Sequence, residues 1–294
     1  TYRFANNEVL IDAALPPVRQ VNGSVQFSGS ALRVPEITGS LFGGPLKIKG
    51  GSQKDGRVLI TANGAINIAQ LRKQMDSPLL EVFSGNTPYR GEVRINKRNA
   101  DLVIDSTLVG LASALPEPFA KRSEDSLALR IERKTLPSAT AVKQGKAENV
   151  LREQLSASLG ADVSMQVIRR KKDNGFVVER GAIAIGRALQ LPESGLLLGL
   201  SAKRLDLDAW RNVPALQSPS AVAARDAGSA TPSLNAVNIK ASELILLGRH
   251  INDVDLTASA LPGQWSFALN SRQAIGNLEW NASGRGKLSA RFKK

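Results

Sequence analysis

Apolar and polar residues alternate with a period of two along most of the chain, which is the pattern of β-strands with one dry and one wet face. Val21, Gly23, Val25 and Phe27 alternate with Asn22, Ser24, Gln26 and Ser28, and Leu32 and Val34 follow. Leu46 and Ile48 alternate with Lys47 and Lys49, and then come Val58, Ile60 and Ala62. Val93 and Ile95 oppose Arg94 and Asn96; Leu102 and Ile104 oppose Asp101, Val103 and Asp105. Leu127, Leu129 and Ile131 alternate with Ala128, Arg130 and Glu132. The same rhythm runs through Val163, Met165 and Val167, through Ile183 and Ile185, and through Val254 and Leu256 to Trp265, Phe267 and Leu269. Lys54-Asp55-Gly56-Arg57 and Asp173-Asn174-Gly175 carry the Asp-Gly and Asn-Gly signals of tight hairpins, and Lys97-Arg98-Asn99 separates two more strands. One-sided strands joined by short turns predict a mainly β fold: a long antiparallel meander curved into an open groove or taco-like sheet, with a few short capping helices.

Two segments break the alternation. Asn67 is a plausible N-cap, and Ile68, Leu71 and Met75 share one helical face; a restart at Ser77-Pro78 precedes Leu79, Leu80, Val82 and Phe83. Leu108, Leu111 and Leu115 form a short apolar stripe at helical spacing that Pro116 and Pro118 end, and are expected to form a second capping helix. Asp208-Ala209-Trp210 is a possible start of a short helix, and residues 147–159 fit helix and strand equally well. Residues 217–233, rich in Ser, Ala and Pro without apolar period, read as a flexible loop inside one elongated segment spanning 1–294.

Composition narrows the possible chemistry. Apolar residues make up 42% of the chain but aromatics only 4%, so the dry faces are aliphatic. Cys is absent, which excludes disulfides and Cys-ligated metal sites. His250 is the only His, in a predicted hairpin turn, with no nucleophile elbow to accompany it. Asp206 and Asp208 could face one side as a metal pair, but no third acid lies nearby, and helix capping and strand exposure are the favoured explanation. No phosphate-binding glycine motif follows a strand. A net charge of +13 favours anionic partners, although solvated strand positions account for many Lys and Arg. The run Arg169 to Lys172 has only Phe176 nearby, too few aromatics for base stacking, so nucleic acid is not an expected partner. No enzyme activity and no cofactor are expected. No stretch reaches the ~18 apolar residues of a membrane span. The chain opens at Thr1 without Met or a signal peptide, and is expected to be an internal segment of a larger protein.

Leu108 to Lys121 resembles the "L-x-G-L-x-x-x-L-P-x-P-x-x-K" stretch of the YhdP family of AsmA-like bacterial envelope proteins. Leu15-Pro16-Pro17-Val18 through Gly23, Glu179-Arg180-Gly181, Leu205-Asp206-Leu207-Asp208-Ala209-Trp210, Leu247-Gly248-Arg249, Gly276 to Trp280 and Ala290-Arg291-Phe292 resemble further elements of that family, in order along the chain. The resemblance implies a periplasmic segment of a parent protein held in the inner membrane by a span outside this sequence. It also implies a bridge-like conduit that carries phospholipid acyl chains between the inner and outer membranes.

Alternation alone fits both an open groove and a closed core. If the faces are open, Val25, Phe27, Leu46, Ile48, Val93, Ile95, Leu102, Ile104, Ile183 and Ile185 are expected to line the groove, with phospholipid as partner. An anionic membrane surface and other envelope proteins are possible further partners. If they are closed, the chain is a structural module of the cell envelope whose basic surface binds a protein or an anionic glycan.

Overall fold

The computed structural model describes all residues except 11–15, 30, 76, 98, 144–145, 173–174, 214–233, 262, 282–286 and 294, and of residues 138–149 and 261 the backbone only. The predicted loop 217–233 and the tip of the 173–174 turn lie outside the described residues. Among those described are 18 β-strands, two α-helices and one 3-10 turn, so the fold is mainly β, mostly antiparallel and open rather than closed into a barrel. The strands fall into two compact units.

The first unit, Thr1–Thr135, contains β1 (Tyr2–Val9), β2 (Val18–Ser28), β3 (Ala31–Leu41), β4 (Gly44–Ser52), β5 (Val58–Asn67), β6 (Phe83–Asn96), β7 (Asn99–Ser106), β8 (Leu111–Ser113) and the start of β9 (Leu129–Lys143). Strands β1 to β7 pair antiparallel in sequence order, and β9 joins β7. The hairpin at Lys54–Arg57 forms as predicted, with the Asp55 carboxylate accepting from the Arg57 backbone N–H at 3.0 Å.

Asn67 caps helix α1 (Ile68–Gln74): its side-chain oxygen accepts from the Gln70 N–H at 2.9 Å, and Ile68 and Leu71 are buried. The restart after Ser77 is the 3-10 turn Pro78–Val82. The Arg72 guanidinium satisfies its free carbonyls, donating to Leu80 O at 2.9 Å and Glu81 O at 3.0 Å, and to Phe83 O.

The helix expected over Leu108, Leu111 and Leu115 does not form. Leu108 and Gly110 have φ of +52° and +90°, outside the helical region. A Cβ on Gly110 would sit 2.2 Å from Asn86 O, so only glycine fits this close approach to β6. The apolar stripe becomes a turn followed by β8, which pairs with β6 from Phe83↔Ser113 to Gly85↔Leu111. Lys121, the last residue of the Leu-Pro-x-Pro motif, is buried; its ammonium donates to Leu111 O at 2.8 Å and Arg122 O at 2.9 Å, tying the loop back to its own start.

The second unit contains Leu136–Val213 and the strands from Leu234 onward. Its strands are β10 (Lys146–Leu159), β11 (Val163–Lys172), β12 (Gly175–Ile185), β13 (Gly195–Asp206), β14 (Leu234–Leu246), β15 (Arg249–Leu261), β16 (Gln264–Asn270), β17 (Ile275–Asn281) and β18 (Lys287–Lys293). The ambiguous stretch before Leu159 is therefore a strand. Pairing is antiparallel except at β13, which runs parallel to both β12 and β14. A parallel neighbour needs a crossover; the one after β12 carries Arg187 across Gly199, where a Cβ would stand 3.1 Å from Arg187 Cδ. Helix α2 (Leu207–Arg211) is capped by Asp206, which accepts from the Ala209 N–H at 2.8 Å. The Asp208 carboxylate accepts from the N–H groups of Leu247 and Gly248 at 2.8 and 2.7 Å, pinning α2 to the β14–β15 turn. These bonds, Gly248 first, hold the Asp208 carboxyl below the usual carboxylate range. Both aspartates are thus engaged with backbone rather than with each other.

Candidate functional site

Strand register converts the alternation into faces, because residues paired across neighbouring strands point to the same side of a sheet. In the first unit one row runs Phe4–Gly23–Ile37–Ile48–Ala62–Gly91–Ile104–Ile131 from β1 to β9. A second row contains Val34–Gly50–Ile60–Val93–Leu102 and ends at Arg133; Tyr2 and Val25 pair at the same level on β1 and β2. A third contains Ser52–Val58–Ile95–Ala100, with Phe27 and Leu32 paired alongside. The opposite face carries Lys47–Asn63–Arg90–Asp105–Arg130 and Lys49–Thr61–Glu92–Val103–Glu132. That face is laced by ion pairs, including Arg130 to Asp105 at 2.8 Å and to Glu132 at 2.7 Å.

One end of the apolar face is closed. Leu46, 3% exposed, clusters with Val18, Val21 and Tyr89. Glycines make this possible: Gly39 and Gly64 are the cross-strand partners of Leu46, and a Cβ on Gly64 would fall 2.5 Å from the Tyr89 ring. Tyr89 therefore lies flat over β5, edge-on to Phe42 at 6.2 Å. Its Oη is buried without a hydrogen-bond partner among the described residues, and burial pushes the phenol up to about 12.

Away from this end the face opens. Ile60, Val93, Leu102 and Ile95 are only partly buried although they occupy central strands, Ile48, Ala62 and Ile104 pack against the closed cluster, and Phe27 is 66% exposed. A second layer packed on this face would bury its centre.

The second unit repeats the arrangement. One row reads Leu159–Val163–Ile185–Leu200–Ile239–Leu256–Leu269–Gly276–Phe292, and the next Ala157–Met165–Ile183–Leu198–Val237–Ala258–Phe267–Leu278–Ala290. Neither row contains a polar residue from β10 to β18. At about 4.8 Å per strand, each row is an uninterrupted apolar track of roughly 38 Å. Leu155, Val167, Gly181 and Leu196 extend it on one side. Exposure is graded here too: Ile185 and Leu200 are buried, whereas Ile183 is 41% exposed and Trp280, Leu288 and Phe292 are exposed. The opposite face bears Lys240–Asp255–Asn270 and Asn238–Thr257–Ala268–Asn277–Arg291.

The residues predicted to line a groove all sit on these apolar faces. Val25, Phe27, Val93, Ile95 and Leu102 lie away from the closed cluster of the first unit, Leu46 lies within it, Ile48 and Ile104 pack against it, and Ile183 and Ile185 occupy adjacent rows of the second unit. Sequence reading missed their partners across the strands, such as Ile37, Ile60, Leu200, Ile239 and Leu256. The alternation was visible at these positions, but the pairing that aligns them into rows was not. It also missed Arg133, although one further step of the Leu129–Ile131 alternation reaches it.

The basic run begins with a compensated charge. Arg169 donates to one Glu153 oxygen through Nε at 3.1 Å and Nη2 at 2.8 Å, and its guanidinium stacks on Phe176 at 4.1 Å. Arg170 lies 3.8 Å from Glu179, which Arg152 engages at 2.7 Å. His250 Nδ1 lies 2.7 Å from Glu243 at an exposed position on the β14–β15 hairpin. Among the described residues, no group of three or more acidic or His side chains is placed to hold a metal ion, and no helix is long and apolar enough to cross a membrane.

The family model described as YhdP protein matches residues 1–294, so the chain belongs to the YhdP family. No curated protein and no solved structure gives a match.

Proposed function

From YhdP-family membership and the open apolar faces, we propose that this chain is a segment of a lipid conduit that carries phospholipid acyl chains across the periplasm, between the inner and outer membranes. The observation that carries the reading is the incomplete burial of apolar rows on central strands, with Ile60, Val93, Ile95 and Leu102 partly exposed and Ile183 41% exposed. Such a surface is costly to leave in water, and an acyl chain laid along it gains about 0.8 kcal/mol per CH₂ removed from solvent. Aliphatic rows select for chain length and fluidity rather than ring shape, which matches the low aromatic content. The charged opposite faces stay hydrated, so a lipid can slide along one side while the other side remains wet. The chain's role is passage rather than chemistry. A parent protein anchored in the inner membrane would set the direction of the track.

The test is lipid content and uptake. Native mass spectrometry of gently purified protein is expected to show bound phospholipid, and the delipidated protein is expected to take up a fluorescent phospholipid from vesicles. Protein that carries no lipid and takes up none contradicts the proposal.

A further inference from the structure

The second row of the first unit ends in a charge. Arg133 pairs with Leu102 across β7 and β9, on the face that carries Ile104 and Ile131. Its Nε is buried and has no hydrogen-bond partner, and its guanidinium forms no ion pair among the described residues. The nearby carboxylates are turned away. Glu132 sits on the opposite face and is taken by Arg130 and Lys134, each at 2.7 Å. Asp101, also on that face, accepts from the Thr135 N–H at 3.0 Å. Asp105 is held by Arg130.

An arginine that extends the apolar alternation of its own strand shows what is missing. Arg169 continues the row positions of Met165 and Val167, and it meets Glu153 directly across the strand pair. Arg133 meets Leu102 instead. A guanidinium does not deprotonate in proteins, so Arg133 presents a permanent, partly desolvated cation with a free donor on an aliphatic surface. Leaving a buried charged donor unanswered is unfavourable. The group that would answer it must carry oxygens matching the planar fork and be attached to alkyl chain that covers Leu102, Ile104 and Ile131.

We infer that Arg133 binds the phosphate of a phospholipid headgroup whose acyl chains lie on the apolar rows of the first unit. This rests on the conduit reading and adds a fixed headgroup position to it: lipid does not only slide but pauses, with its phosphate at Arg133. The assignment predicts selectivity for phosphate-bearing lipids over lipids with the same chains and no phosphate.

The experiment compares uptake of phosphatidylglycerol and of diacylglycerol with identical acyl chains by the wild-type chain, Arg133→Gln and Arg133→Lys, with circular dichroism as the fold control. Arg133→Met, which keeps part of the aliphatic stem, replaces Arg133→Gln if that variant loses its strand signal. Wild type is expected to prefer phosphatidylglycerol. Arg133→Gln is expected to lose about tenfold in phosphatidylglycerol affinity, the scale of one charge-assisted contact, with diacylglycerol uptake unchanged. Arg133→Lys is expected to fall between, because a point charge cannot reproduce the fork. Equal phosphatidylglycerol uptake by wild type and Arg133→Gln overturns the assignment while leaving the conduit reading intact, as does an equal loss of both lipids. Displacement of bound lipid by millimolar inorganic phosphate overturns it in favour of a free-phosphate site. Wild-type protein that takes up neither lipid overturns both readings together.

Discussion

Replacing Ile95 with Glu separates an open face from a closed core. Ile95 lies on the third apolar row, between Val58 and Ala100, and is partly exposed. Burying an Ile side chain completely contributes about 1.5–3 kcal/mol, so losing the larger part that is buried costs about 1–2 kcal/mol. The poorer strand preference of Glu adds up to about 1 kcal/mol. The carboxylate reaches water from this partly exposed position, so the whole penalty is about 2–3 kcal/mol, which a folded domain tolerates. At Leu46, 3% exposed beneath Val18, Val21 and Tyr89, the same change strands an unpaired charge. The cost there is about 3–5 kcal/mol for the charge beyond the lost packing, enough to unfold a unit of ordinary stability. Urea unfolding followed by far-ultraviolet circular dichroism reads both variants. Ile95→Glu is expected to fold yet lose phospholipid uptake by at least tenfold, because an acyl chain would have to cover a carboxylate. If Ile95→Glu unfolds as Leu46→Glu does, the face is a closed core; if it folds and takes up lipid normally, the first unit does not carry acyl chains.

Tyr89→Phe removes a buried, unpartnered hydroxyl and is expected to be neutral or stabilising by about 1 kcal/mol. Because the folded chain holds the phenol proton up to about 12, above its ordinary value near 10, wild-type stability is retained below pH ~10 and falls as pH rises toward 12. The Phe variant should lose that part of the slope, and an unchanged urea-midpoint profile over this range contradicts the burial. Asn67→Ala leaves the Gln70 N–H uncapped and is expected to cost about 1 kcal/mol, read as faster hydrogen exchange in α1; equal exchange refutes the cap. Lys121→Met removes both bonds from the ammonium to Leu111 O and Arg122 O, and is expected to make residues 108–125 the first site of limited proteolysis. A wild-type digestion pattern argues against Lys121 as the tie of this loop.

The faces were legible because a strand's period is two, so apolar residues such as Ile48, Val93 and Ile183 had to share a side with their own strand neighbours. The Asn67 cap was legible because an Asn ahead of an apolar stripe at helical spacing has one common use. The stripe Leu108–Leu115 misled because three Leu at that spacing fit a turn plus a short strand equally well; what decides is the positive φ at Leu108 and Gly110 and the close contact with Asn86, which are tertiary facts. The parallel insertion of β13 left no local mark, since Leu196 to Leu200 reads alike in either direction. Whether the faces are covered is not written in alternation at all: Leu46 and Phe27 belong to the same kind of pattern, yet one is sealed at 3% exposure and the other is 66% exposed. Arg133 was hidden for a related reason, because its isolation depends on which residue stands across the strand pair.

Site-specific photo-crosslinking tests the open apolar face most directly. A photoreactive residue placed at Val93 or Ile183, on the apolar faces, and at Thr61 or Lys240, on the polar ones, is irradiated in cells and the purified protein is weighed by mass spectrometry. The account predicts phospholipid adducts at Val93 and Ile183 and none at Thr61 or Lys240. Adducts at both sets of positions alike, or at neither, contradict it.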